Sequence, residues 1–150
     1  MSIQNEVMIK MKEAMKAKDT VSLTALRALK AAFMLAKTET GVSEEITADQ
    51  ELKIVQKQVK QRKDSATIFL EQDRRDLAEP ELLEASVLEQ FLPEALSQEE
   101  IERVVDAVVA KTGAQGMKDM GKVMGVVSKQ LAGQADGKTI SAIVKSKLVL

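Results

Sequence analysis

The sequence predicts an all-α protein, and three observations carry that expectation. Apolar residues recur at spacings of three and four rather than alternating. Two Ser/Thr-x-x-Glu/Gln boxes stand directly ahead of such apolar runs, where they would satisfy the free amides of a helix start. Only Phe33, Phe69 and Phe91 are aromatic, so Leu, Val, Ala and eight Met must fill the core. Those side chains suit helix-on-helix packing better than a sheet.

In chain order, Ile3, Val7, Met11 and Met15 mark one face of a first helix ending near Lys18. Asp19 or Thr20 can cap a second, whose face is Leu23, Leu26, Leu29, Phe33 and Ala36 and which Gly41 closes. The box Thr47-Ala-Asp-Gln50 opens a long third helix with Leu52, Val55, Val59, Ala66 and Phe69 along one stripe. Arg74 to Glu79 interrupts the periodicity, and Pro80 is expected as the first residue of a short helix carrying Leu82, Leu83, Val87, Leu88 and Phe91. Leu92-Pro93-Glu94 is the expected boundary, because the residue before a proline is pushed out of helical geometry. Beyond it, Ser97-Gln-Glu-Glu100 opens a helix with Ile101, Val104, Val105, Val108 and Val109, ended by Gly113 and Gly116. Met117, Met120, Met124, Val127 and Leu131 form the next stripe, stopped by Gly133. Asp136 caps the last helix, with Ile140, Ile143, Val144 and Leu148. Two helical domains follow, 1–93 and 94–150, the second of three helices.

Charge is segregated beneath a net of −1. Residues 1–75 carry 14 basic and 11 acidic groups, 76–110 one basic and ten acidic, and 111–150 seven basic and two acidic. With no Cys there is no disulfide, thiolate nucleophile or thiolate metal site, and with no His no imidazole base. Any divalent metal would rest on Asp or Glu alone, and no EF-hand-like loop is present, so neither metal nor cofactor is expected. No apolar run approaches a membrane span, and no signal-peptide core opens the chain. The expectation is a protein of a reducing compartment such as the cytoplasm, without membrane association.

The basic residues are the candidate binding groups. Lys118, Lys122 and Lys129 follow a helical spacing beside the Met stripe, and Lys138, Lys145 and Lys147 add to the same terminal charge. Such a row suits backbone phosphates, read as ordinary charge rather than as sequence. It is equally the pattern of a solvated helix face. Lys53, Lys57, Lys60, Arg62 and Lys63 form a second basic cluster on the long helix. Gly121 and Gly125, four apart inside a helical run, need a reason, since each costs about 0.5–1 kcal/mol relative to alanine. Either the neighbouring helix packs tightly there or the strip is left open for an approaching helix or phosphate backbone. Gly133 would supply a positive φ, and Gly133-Gln-Ala-Asp136-Gly137-Lys138 lacks the strand context and the Ser/Thr ending of a phosphate loop. Arg62 falls on the apolar stripe between Val59 and Ala66. Glu81 and Glu84 are its candidate partners, shared with Arg75, unless all four are surface charges. Ser141 and Lys145, at i and i+4, are the nearest approach to a nucleophile and base, and a solvated lysine explains them better.

These residues together resemble the GatB/YqeY family over nearly the whole chain. The resemblance rests on Leu26-Arg-Ala-Leu-Lys-Ala-Ala32, Lys60-Gln-Arg-Lys-Asp-Ser65, Arg75-Asp-Leu77 with Glu81 and Glu84, and Phe91-Leu-Pro93. It continues in Lys118-Asp-Met-Gly-Lys-Val-Met124 and in Ala135-Asp-Gly137 with Ile143-Val-Lys145. Three positions depart from the family pattern: Asp73 or Arg74 stands for the usual glycine, Pro80 for a lysine and Phe91 for a tyrosine. The resemblance implies an N-terminal helical domain and a small C-terminal three-helix domain. It also implies similarity to the tail of the GatB component of the glutamine-dependent tRNA amidotransferase, an enzyme that amidates mischarged Glu-tRNA or Asp-tRNA. There the tail helps engage the tRNA. The family label, carbon–nitrogen ligase with glutamine as amido-N-donor, comes with the resemblance alone, because neither the kinase-like cradle nor a glutaminase nucleophile is present. The implied role is a module without catalytic residues that binds tRNA or a tRNA-charging or amidotransferase enzyme. Its rival is a protein-interaction module using the acidic 76–110 band or the Gly121/Gly125 strip.

Overall fold

A computed structural model describes residues 2–39 and 45–149, and over these the chain forms seven α-helices and no strand. It divides into two compact units, Met1–Leu92 and Pro93–Leu150. In the first, α1 spans Ile3–Ala17; the Ser2 hydroxyl accepts the Asn5 amide, and Lys18 turns left-handed at φ 55° to close the end. Val7 and Ala14 are its buried residues, whereas Met15 stays 50% exposed, so the stripe shortens from four to three at its last step.

Helix α2 spans Thr20–Glu39, with Asp19 directly ahead of it. The Asp19 carboxylate accepts the Ser22 hydroxyl at 2.6 Å and the Ser22 amide at 3.1 Å. These bonds, the hydroxyl's foremost, hold its carboxyl below the ordinary carboxylate range. Ala25, Leu26, Leu29 and Phe33 bury; the stop expected at Gly41 lies outside the described residues.

Helix α3 spans Ala48–Glu71 behind a complete capping box between Thr47 and Gln50. Val55, Val59 and Ala66 enter the core, and so does Glu51. Its carboxylate accepts the Gln4 amide at 3.2 Å, so a charge from the third helix serves the positive end of the first.

A three-residue turn returns the chain. The Arg74 amide donates to the Phe69 carbonyl at 2.7 Å, and Asp73 sits at φ 57°, a conformation that Asp tolerates better than most residues. Asp73 thus occupies the glycine-like position. Helix α4 then spans Arg75–Glu89, so Pro80 lies inside it rather than at its start. Proline is tolerated there because Asp76, Glu79 and Pro80 are all exposed, and water can serve the carbonyl left without an amide partner. The earlier start rephases the helix. Ala78, Ala85 and Leu88 are buried, while Leu82 and Leu83 are 43% and 55% exposed.

In the second unit, α5 spans Gln98–Thr112, with a Ser97/Glu100 capping box and Gly113 at φ 67°. A 3-10 turn, Met117–Asp119, leads into α6, Met120–Gln130. The stripe expected from Met117 therefore begins at Met120 and includes Val123, with Met117 left 44% exposed. Leu131 already departs from helix, two residues before Gly133 turns at φ 80°. Helix α7 spans Gly137–Leu148; the Asp136 carboxylate accepts the Thr139 amide at 2.7 Å. Residues of α5, α6 and α7 share one core, including Ile101, Val105, Val123, Val127, Ile140 and Val144. No helix among the described residues is long and apolar enough to cross a membrane.

Candidate nucleic-acid interface

The site is built on α6. Val123 and Val127 pin one side of this helix into the core, which turns the opposite side outward. Lys122, Gly125 and Lys129 lie on that outward side, all exposed, with Lys118 preceding them in the 3-10 turn. Lys122 and Lys129 are seven residues apart, about 10 Å along the axis and nearly in line, given a rise of 1.5 Å and 100° per residue. Asp119 is drawn away from this row, since its carboxylate accepts the Gln115 amide at 2.9 Å.

A Cβ placed at Gly121 or Gly125 would meet nothing within 4 Å. Packing inside the unit therefore does not ask for glycine at either position, and the strip between Lys122 and Lys129 is open. Beside it runs a groove of about 410 Å³. Ala107, Val108, Lys111 and Thr112 of α5 form one wall, and Lys122, Val126 and Gln130 of α6 the other. The Thr112 hydroxyl donates to the Val108 carbonyl at 2.8 Å, leaving its lone pairs to accept.

Lys111, Lys118, Lys122, Lys129, Lys138 and Lys145 have no carboxylate at ion-pair distance among the described residues. Lys138 and Lys145 are exposed on α7, which lends no residue to the groove. Lys147 is a structural lysine, paired with Asp106 of α5 at 3.3 Å. Sequence reasoning passed over Lys111 and Gln130. Lys111 reads as a routine cation in the last turn of α5, and only the packing of α5 on α6 sets it opposite Lys122.

The second basic cluster is different. Lys53 and Lys57 are exposed on α3 and have no ion-pair partner among the described residues, but Lys60 pairs with Asp64 at 3.1 Å and Lys63 with Glu89. Arg62 is held across the α3–α4 hairpin: its Nε donates to Glu84 at 3.2 Å and one Nη to the Gln58 carbonyl and side-chain oxygens. The side chains of Arg62 and Glu84 are only 11% and 21% exposed. Arg75 and Glu81 stand outside this pair; Arg75 is exposed and Glu81 half-buried, and neither bonds to it. The neighbouring Arg74 instead grips Asp76 through two hydrogen bonds of 3.0 and 2.9 Å, which lower the Asp76 carboxyl below its ordinary range. Among the described residues no group of three His, Cys, Asp or Glu could hold a metal ion. Ser141 and Lys145 share no hydrogen bond, and Ser141 is half-buried while Lys145 is exposed.

The molecule is thus an all-helical module presenting a lysine-lined groove. The family described as Yqey-like protein matches residues 4–148, and the chain belongs to it. Over 73 residues, 46% of its length, it is 41% identical to the E-type component of glutamyl-tRNA(Gln) amidotransferase from Thermococcus gammatolerans. The same component from Aeropyrum pernix is 42% identical over 57 residues, 35% of this chain. The aligned stretches are only 12% and 9% of those two proteins. The chain is also 30% identical over 128 residues to altered inheritance of mitochondria protein 41, mitochondrial, of Pyrenophora tritici-repentis, spanning 83% of this chain and 68% of that protein.

Proposed function

We propose that this protein is a non-catalytic accessory module that binds tRNA, alone or alongside a tRNA-charging or amidotransferase enzyme, in an aqueous compartment such as the cytoplasm. The observation that carries the reading is the row Lys118, Lys122 and Lys129, without ion-pair partners among the described residues, flanking the open strip at Gly125. Cations without internal partners keep their charge for an outside anion, and a helix surface bare of side chains lets a phosphate backbone come close. The relatives named as components of a tRNA amidotransferase support the choice of tRNA among nucleic acids. Lys138 and Lys145 add positive potential, and Lys53 and Lys57 belong to a secondary surface. In this reading bond-making is left to another protein, and the groove supplies two ammonium groups and uncharged side chains.

Titration with tRNA at 50 and 200 mM salt tests this. Three neutralised phosphates give a slope of about −2 to −3 in log affinity against log salt, a loss of about 20- to 40-fold over that range. Changing Lys118, Lys122 and Lys129 together to Gln abolishes most of that slope while helix content stays the same. Absence of tRNA binding at low salt removes the reading.

A second reading has one observation in its favour. Helix α4 exposes Leu77, Leu82 and Leu83 beside Glu79, an apolar patch with an acidic edge suited to a partner protein without nucleic acid. A partner whose capture survives Lys118/Lys122/Lys129→Gln but fails with Leu82/Leu83→Ser would select it. The ligase activity of the family label is tested by glutamine hydrolysis, and turnover by the isolated chain would defeat the non-catalytic reading.

A further inference from the structure

We propose that the groove between α5 and α6 seats one strand of a base-paired RNA helix, with backbone phosphates between Lys111 and Lys122, and that it discriminates against unpaired RNA. This rests on the tRNA-binding reading above and specifies which part of such a molecule is held.

The first argument is what the groove contains. Two unpaired lysines stand on opposite walls, with Gln130 and Thr112 as the uncharged polar groups and Ala107, Val108 and Val126 as the apolar lining. An ammonium is a point charge with rotatable donors; it neutralises a phosphate but does not form the planar fork with which Arg reads guanine. No arginine lines the groove. Recognition there therefore rests chiefly on phosphate position.

The second argument is what the unit lacks. Residues 93–150 contain no Phe, Tyr or Trp and a single arginine, Arg103, which is outside the groove. Proteins that hold unpaired strands offset the cost of ordering them by stacking bases on aromatic rings, worth about 1–3 kcal/mol per base. No such platform exists in this unit. A duplex arrives with its phosphates already ordered, so cations on a rigid helix meet them without that ordering cost. The third argument is access. At Gly125 the outward face of α6 is bare backbone, with open space where a side chain would project. A ridge this low suits the wide, shallow minor groove of an A-form helix, whose flanking phosphates the lysines then reach.

The experiment uses the full chain and two fluorescent RNAs of about 16 residues per strand, a span comparable to other duplex-binding modules. One is a perfect duplex, the other a sequence unable to pair. At 50 mM salt the duplex is expected to bind at least about tenfold tighter. Lys111→Gln is expected to weaken duplex binding about three- to tenfold and to reduce the salt slope by about one, as loss of one phosphate contact requires. Equal or tighter binding of the unpaired RNA, with tRNA still bound, overturns the inference and leaves the tRNA reading standing. An unchanged affinity and slope in Lys111→Gln overturns it too. Loss of all RNA binding in the wild-type chain would instead sink the reading beneath it.

Discussion

Replacing Gly125 by alanine is expected to stabilise the second unit. Its backbone is within α6, its φ is not positive, and an added Cβ meets nothing within 4 Å. The substitution thus carries no steric penalty, and it removes the conformational freedom of glycine from the unfolded chain. The gain is about 0.5–1 kcal/mol. For a unit this small, that corresponds to a rise of about 4–8 °C in its melting temperature. Gly113 is the control: at φ 67° it occupies the left-handed region, where alanine costs about 1–2 kcal/mol, so Gly113→Ala lowers the transition instead. Calorimetry on the full chain, with hydrogen exchange at the α6 amides to attribute the transition, measures both. A bulkier residue separates stability from function. Gly125→Leu keeps the helix but fills the strip between Lys122 and Lys129, so tRNA affinity falls without loss of fold. If Gly125→Ala destabilises α6, the face is packed and not open. If Gly125→Leu binds tRNA like the wild type, nucleic acid does not lie there.

Three other perturbations follow from the first unit. Glu84→Ala leaves the Arg62 guanidinium, largely buried, with Gln58 alone; a loss of about 1–3 kcal/mol is expected in urea unfolding, while Arg62→Met with Glu84→Gln returns to within about 1 kcal/mol of wild type. Glu51→Ala strips the Gln4 amide of its partner and is expected to speed hydrogen exchange over residues 3–7 before any global effect, and uniform protection would contradict the capping role. The pH dependence of the Asp19 cap has a definite sign. Its folded carboxyl is lowered, so its contribution is present above the ordinary carboxylate value near pH 4 and is lost as pH falls through the lower folded value. The stability gap between wild type and Asp19→Ala should therefore narrow on acidification below about pH 4, and a gap that widens there would refute the assignment.

Local rules were readable from the chain wherever neighbours in sequence are also neighbours in space. The helical class follows from apolar spacing, and the boxes at Thr47 and Ser97 close within one turn, so each specifies its own geometry. Phase was harder. Pro80 reads as a helix start, yet α4 begins at Arg75, and with it Ala78 and Ala85 displace Leu82 and Leu83 from the core. Likewise Ala14 takes the place expected of Met15. Small residues win these positions because close helix approach rewards fit over apolar size.

Electrostatic partners were least readable, because they lie on different elements. Glu51 shows in the sequence as one more acid near a helix start, and nothing local says that it serves a helix 47 positions away. Arg62 selects Glu84 and not Glu81, and Arg75 stays outside the pair, because the α3–α4 turn sets which faces meet. Periodicity and capping chemistry determined that this chain is helical and where most of its helices begin. Only the packing of one helix on another decided which charges are spent on each other and which, around Gly125 and the α5/α6 groove, are left for a ligand. Helix propensity acts over one turn, whereas the pairing of distant charges depends on where a folded core places them.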